Sequence, residues 1–258
     1  MTKESGSNFN VVTPSLPKGG GALKGMGEAF SADEFMGSAS LSIPIPVSPC
    51  RDFEPHLSLE YNSRGGRSAF GYGFSLPLSS ISRLTSLGTP QYKGDDTFVL
   101  SGSDWLVPKL DDDGNSVQEK QTVNSITYNV STFIPRVETA FDIIERFQNT
   151  ADATDQFWKV TSAQNIISIY GYNSSTRISN PESPEQIFEW FLQESYDAKG
   201  NHIVYCYTQE NTSTALANTA RDSSSNRYID RVCYGNDQPY TAGSMIVNLS
   251  AQEFAKIE

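Results

Sequence analysis

The residues whose types and spacing could do chemistry begin near the N-terminus. Gly19, Gly20, Gly21, Gly25 and Gly27 fall within nine residues, with Lys24 among them. Glycine-rich backbone beside lysine is the material of phosphate sites, but the order here is wrong. A P-loop puts Lys directly after its last Gly, then Ser or Thr; Lys24 is followed by Gly25 and Met26. A dinucleotide fingerprint needs Gly-x-Gly-x-x-Gly between a strand and a helix. Gly25 and Gly27 fit, Phe30 stands at the third glycine, and no strand pattern precedes them. An entry loop remains, kept glycine-rich where backbone must turn with positive φ or lie against other backbone.

Other candidates thin out in the same way. Asp111-Asp112-Asp113-Gly114-Asn115 suggests calcium, but an EF-hand loop starting at Asp111 needs Gly at its sixth position and Glu at its twelfth. Ser116 and Thr122 occupy them, and Asp-Gly-Asn between strands predicts a solvated hairpin turn. Gly102-Ser103 lacks the Gly-x-Ser-x-Gly of a nucleophile elbow. His56 and His202 are the two histidines, and His202 falls inside a strand pattern that favours a structural role. Cys50, Cys206 and Cys233 form no C-x-x-C pair and no zinc spacing; they read as small, half-buried fillers. The sequence therefore assigns no catalytic, cofactor-binding or metal residues, and the chain is expected not to be an enzyme.

Bulk composition narrows the partners. The 258 residues carry a net charge of −11, with 37% hydrophobic and 19% charged residues. Nucleic-acid binding is disfavoured, because neutralising phosphates takes clustered Lys and Arg. No apolar run approaches the roughly 18–20 residues of a membrane span, so no direct membrane insertion is expected. Met1–Asn8 is polar and lacks the apolar centre of a Sec signal; release from a cell would take a non-Sec route.

The elements that must position any site read as strands. Residues 1–15 are polar and without period, a flexible tail, and 31–37 reads as a loop. Over 39–47, Leu41, Ile43, Ile45 and Val47 alternate with Ser42, Pro44 and Pro46, and the two prolines predict an edge strand. Further strand patterns cover 57–61, 123–134, 141–147, 157–161 and 166–170. Residues 183–197 fit either a capped helix or an alternating strand. Strand is preferred, because Tyr196-Asp197-Ala198-Lys199-Gly200-Asn201 then makes a hairpin into the alternating run His202–Tyr207. Residues 208–226 are rich in Asn, Ser and Thr and predict an exposed excursion.

Several of these stretches together resemble the SpvB-type N-terminal domain, which opens the B subunits of Tc insecticidal toxin complexes and the virulence protein SpvB. The resemblance rests on Leu16–Ala22 with Gly25–Glu28, on Leu41–Pro46, and on Tyr61 followed by Gly65-Gly66. It continues through Phe70-Gly71-Tyr72-Gly73-Phe74 and Ser80-Ile81-Ser82-Arg83, and on to about Asn236. Phe74 stands where the family usually has Trp, which keeps an aromatic plug. Tyr196–Tyr207 resembles one RHS/YD repeat, and Tyr228–Asn236 echoes it.

The expected fold is all-β: many short antiparallel strands forming a shell or sandwich-like wall, with room for one short helix. The expected domain is 16–258, and because the family domain runs on, a fragment or shortened homologue is expected. The resemblance implies a non-catalytic wall component of an RHS-like shell that encloses a toxic effector. Its partners would be an RHS-repeat C subunit and, through the wider B subunit, the A pore. The chain would be cytoplasmic in the producing bacterium and then secreted. The ADP-ribosyltransferase of SpvB-like proteins belongs to a separate C-terminal domain, whose Glu-x-Glu signature is missing here. The alternative is a β-rich module that binds a host protein or glycan through its aromatic surface.

Overall fold

The computed structural model describes residues 29–33, 37–94, 96–137, 140–209 and 226–240. The tail over 1–15, the glycine run up to residue 28 and most of the excursion over 208–226 lie outside the described residues. Those described form an all-β structure. The first strands are β1 (Ala29–Asp33), β2 (Ser38–Pro44), β3 (Ser58–Asn62), β4 (Arg67–Ser68), β5 (Gly71–Tyr72) and β6 (Phe74–Ser75). The central ones are β7 (Ser80–Arg83), β8 (Phe98–Leu100), β9 (Asp104–Pro108), β10 (Gln118–Val123), β11 (Ile126–Pro135), β12 (Ile143–Asn149), β13 (Gln156–Thr161) and β14 (Ile167–Tyr170). A 3-10 turn, Ser174–Thr176, precedes β15 (Arg177–Asn180), β16 (Ser183–Tyr196), β17 (His202–Gln209) and β18 (Arg227–Tyr234). That turn is the one helical element among the described residues.

A small sheet in the order β1-β2-β3-β6 stands beside a twelve-stranded sheet. The large sheet closes on itself. Eight strands run β7-β8-β9-β11-β12-β13-β14-β16 and back to β7. Closure depends on β16, whose length lets it serve two neighbours: Glu189–Phe191 pair with β7, and Leu192–Tyr196 pair with β14. Each ring strand contributes to one apolar interior: Ile81, Phe98, Leu106, Phe133, Ile144, Trp158, Tyr170 and Trp190. Closing a sheet removes its edges, and aromatic rings pack against one another in the interior. Phe98 lies edge-on to Trp158 at 4.9 Å and to Phe133 at 5.8 Å. Trp190 is fully buried, and its indole N–H donates to the Gln156 carbonyl at 3.0 Å.

Trp190 also explains Gly171. This glycine ends β14 with φ +65°, and a Cβ there would lie 2.3 Å from Trp190 Cδ1. Only a residue without a side chain satisfies both the left-handed backbone and the ring pressed upon it. A second core occupies the other face of β11–β14. Phe147 and Phe157, opposite one another in register, stack at 4.7 Å, and Tyr128, Val130 and Ile169 join them.

Four expectations need correction. The loop expected over 31–37 is partly strand, because β1 pairs with β2 from Ala29 opposite Ser42 to Asp33 opposite Ser38. Its short local pattern is weak, and the partner strand decides the outcome. The prolines do not make β2 an edge strand, since β1 and β3 flank it on both sides. The Ile45 N–H bonds the Leu57 carbonyl of the turn into β3. By antiparallel alternation the nitrogens of Pro44 and Pro46 face the other side, where the pairing with β1 stops at Ser42. The run 123–134 is not one strand. Asn124 and Ser125, both at positive φ, turn β10 into β11, with Val123 opposite Ile126. β10 itself, Gln-Glu-Lys-Gln-Thr-Val, is too polar for a hydrophobic pattern to reveal. Finally, β12 begins at Ile143, because Phe141 lies in the preceding loop with φ 57°. Residues 183–196 are a strand, as the sequence pattern preferred.

Candidate functional site

A dense polar construction lies where β16 turns into β17 and leaves the ring. The Gly200 N–H donates to the Asp197 carbonyl at 3.2 Å, and the Asp197 N–H to the Asn201 carbonyl at 3.1 Å. The Asp197 carboxylate organises the loop. Its Oδ1 accepts the N–H groups of Lys199 and Asn201, each at 2.9 Å, and its Oδ2 accepts Asn201 Nδ2 at 2.8 Å. Partial burial works against the charge. The bonds from Asn201 and Lys199, with the Lys199 ammonium, outweigh it and hold this carboxyl below its usual range.

A second segment fastens the hairpin from outside. Asn236, two residues beyond β18, is buried. Its Oδ1 accepts the His202 N–H at 3.0 Å, and its Nδ2 donates to the Gly200 carbonyl at 2.8 Å and to the Gln238 carbonyl at 2.6 Å. The following Tyr240 N–H also donates to the Gly200 carbonyl, at 2.9 Å. Beneath this, His202 Nε2 meets Glu194 Oε2 at 2.9 Å, each side chain only 4% exposed. Tyr240 lies over the imidazole with ring centres 4.4 Å apart, and Tyr196 flanks it at 6.3 Å. Burial, and then the Glu194 charge, push the Tyr196 and Tyr240 phenols up. The arrangement ties β16, β17 and the segment after β18 into one unit.

The other residues singled out from sequence build no common site, although the thiols of Cys206 and Cys233 meet across β17 and β18. His56 is exposed. Cys50, Cys206 and Cys233 are free and half-buried. Asp111 spends its Oδ1 on the N–H groups of Asp113 and Asn115, at 3.0 and 2.8 Å, which makes its segment a closed turn. Ser103 lies in the turn between β8 and β9. Among the described residues no group of three or more His, Cys, Asp and Glu is placed to share a metal ion. No helix among them is long and apolar enough to cross a membrane. Sequence reading missed Asn236 and Glu194. The first shows only as the end of a faint repeat echo; the second interrupts the alternation of an otherwise aromatic strand.

Family comparison supplies the context. A family model described as SpvB, the Salmonella virulence plasmid 65kDa B protein, matches residues 33–256. The chain belongs to the SpvB family. A curated relative, the mono(ADP-ribosyl)transferase SpvB of Salmonella choleraesuis (strain SC-B67), is 35% identical over 237 residues, 89% of this chain and 39% of that protein. The chain thus spans about two fifths of the length of the curated SpvB relatives it matches.

Among solved structures, that of TcdB2-TccC3 superposes with a TM-score of 0.79 at 30% identity, covering 95% of this chain and 12% of that one. The Photorhabdus luminescens Tc holotoxin pore gives the same TM-score and identity, covering 96% and 12%. The N-terminal domain of effector protein SpvB from Salmonella typhimurium strain LT2 gives 0.72 at 30% identity, covering 82% and 68%. The chain is thus built like the N-terminal region of SpvB and like part of the Tc toxin assemblies.

The SpvB-like glycine–aromatic stretch is a packing device. Tyr61 and Phe74 lie 4.9 Å apart, and a Cβ on Gly73 would fall 2.6 Å from the Tyr61 ring. The Asn62 N–H donates to the Gly73 carbonyl at 2.9 Å, and Gly73 N–H to Gly66 at 2.9 Å. Glycine here lets ring and backbone meet.

Proposed function

We propose that this SpvB-family chain is a wall element of a Tc-type toxin shell, contributing strands that enclose a toxic effector and help deliver it. One observation carries the reading. β16 closes the barrel and then continues through the fastened hairpin into β17 and β18, outside the ring. Among the described residues no strand pairs with the outer side of β18. Unpaired strand edges are templates for further strands, so the barrel is anchored at one end of a sheet that a neighbour can extend. The likeness to TcdB2-TccC3 supports this reading.

In it, the partner on that edge is an RHS-repeat subunit, and the pore subunit is reached through the larger assembly. The chain does no chemistry of its own. The ADP-ribosyl transfer named for the Salmonella relatives resides in the part of those proteins that this chain does not span. The complex is released from the producing bacterium.

Size-exclusion chromatography with light scattering tests the proposal, first on the chain alone and then with the RHS-repeat subunit from the same toxin operon. Stable co-elution is expected. A well-behaved monomer that ignores that subunit overturns the wall reading, and glycan and host-protein screens then become the next experiment.

A further inference from the structure

The barrel interior is not filled throughout. Beside the aromatic core lies a cavity of about 370 Å³, whose charged lining is Arg83, Lys93, Arg146, Asp96 and Glu185. Among the described residues three cations face two carboxylates, in a chain whose net charge is −11.

The two arginines are treated differently. Arg83 is matched: its Nη1 meets Asp96 Oδ2 at 2.6 Å, and its Nε donates to the Ile187 carbonyl at 2.7 Å. Arg146 is only 9% exposed and has no carboxylate partner among the described residues. One Nη2 bond reaches Gln156 Oε1 at 2.7 Å, while its buried Nε donates to nothing described. Its guanidinium lies over the rings of Phe98 at 4.8 Å and Trp158 at 5.8 Å. Ring faces soften the cost of a buried cation, but they do not accept an N–H as a carboxylate does. Burial, and then the neighbouring Arg83, push this guanidinium down to about 9, against the partial support of the Asp96 charge. A buried cation without an ion-pair partner is expensive.

We propose that the barrel cavity binds a small monocarboxylate, whose carboxylate takes a guanidinium donor of Arg146 that Gln156 leaves unused and whose hydrocarbon lies against Phe98 and Phe133. A single negative charge balances the lining. A guanidinium N–H gives a carboxylate oxygen a charge-assisted hydrogen bond, stronger than one between neutral groups. The cavity is of small-molecule size, and Phe98, Phe133 and Leu106 form its apolar side. The inference is independent of the shell reading, because it concerns the inside of the ring and not its open strand.

Isothermal titration of the 258-residue chain with sodium benzoate and sodium butyrate tests it, against sodium chloride and sodium phosphate at matched ionic strength. Saturable binding of a carboxylate is expected, and neither chloride nor phosphate should reproduce it. Arg146→Gln should weaken the binding at least tenfold. Ser131→Leu, directly opposite Arg146 in the β11–β12 register, fills the cavity without removing the cation and should abolish binding. It decides the matter if Arg146→Gln does not fold by circular dichroism. No saturable heat with either carboxylate, equal binding by the folded variants, or binding of phosphate alone overturns the proposal.

Discussion

Asn236 bonds two backbone groups of one hairpin, accepting from the His202 N–H at 3.0 Å and donating to the Gly200 carbonyl at 2.8 Å. A side chain placed 34 residues beyond His202 thus completes the hairpin's hydrogen bonding.

Asn236→Ala should therefore destabilise the chain by about 1–3 kcal/mol, because the buried His202 N–H loses its partner while the Gly200 carbonyl keeps the Tyr240 N–H. Urea denaturation followed by far-UV circular dichroism measures it. A change below about 0.5 kcal/mol, the size typical of surface substitutions, would mean that the fastening is dispensable.

Gly171→Ala should be at least as costly. The new methyl would meet Trp190 at 2.3 Å on a backbone with φ +65°. Strain of about 1–3 kcal/mol from the left-handed conformation adds to a similar overpacking term. Tryptophan emission should shift to the red as Trp190 is displaced, and the urea midpoint should fall with it.

Asp197 sets an acid limit on the hairpin. Its folded pKa lies below that of a free aspartate, about 3.9, so its stabilisation is full above that pH and is lost as pH falls through the folded value. Asp197→Asn should lower the urea midpoint at pH 7, and its difference from the parent should shrink steadily below pH 4. A difference that stays constant across that range would contradict the assignment.

Glu189 carries the opposite sign. Burial raises its pKa more than the 2.7 Å hydrogen bond with the Ser80 hydroxyl lowers it. A carboxyl raised in the fold costs stability at neutral pH, a cost that sets in as pH rises from the unfolded value through the folded one. Glu189→Gln should raise the urea midpoint at pH 7 and gain little at pH 4. Equal gains at both values would point to packing instead of charge.

Much of the architecture was legible because strand chemistry is local. Phe157-Trp158, Ile169-Tyr170 and the Tyr196–Tyr207 hairpin announce themselves by alternation and by Asp, Gly and Asn at the turn. What stayed hidden is non-local. Nothing near Ser80 predicts that its strand will pair with residue 191, and nothing in Ile144-Glu145-Arg146-Phe147 says that the arginine faces inward with Ile144 and Trp158. β10 escaped notice because its neighbours in space supply the apolar surface that its own residues lack. The family motifs pointed to packing, and Gly73 under Tyr61 shows how that packing works.

The late closure of the ring by β16 has a consequence for the order in which the molecule can assemble. β7 is synthesised early, yet its second neighbour lies 109 residues downstream, as the Ser80–Glu189 bond measures. During vectorial synthesis the first barrel strand must wait, one side unsatisfied, until nearly the whole ring has emerged. The entropy of closing so long a loop must be met before the contacts that reward it exist. Folding of the barrel is therefore slow and concerted, and its mechanical reverse has a natural starting point: a pull that peels β16 from β7 opens every other ring strand to the same fate.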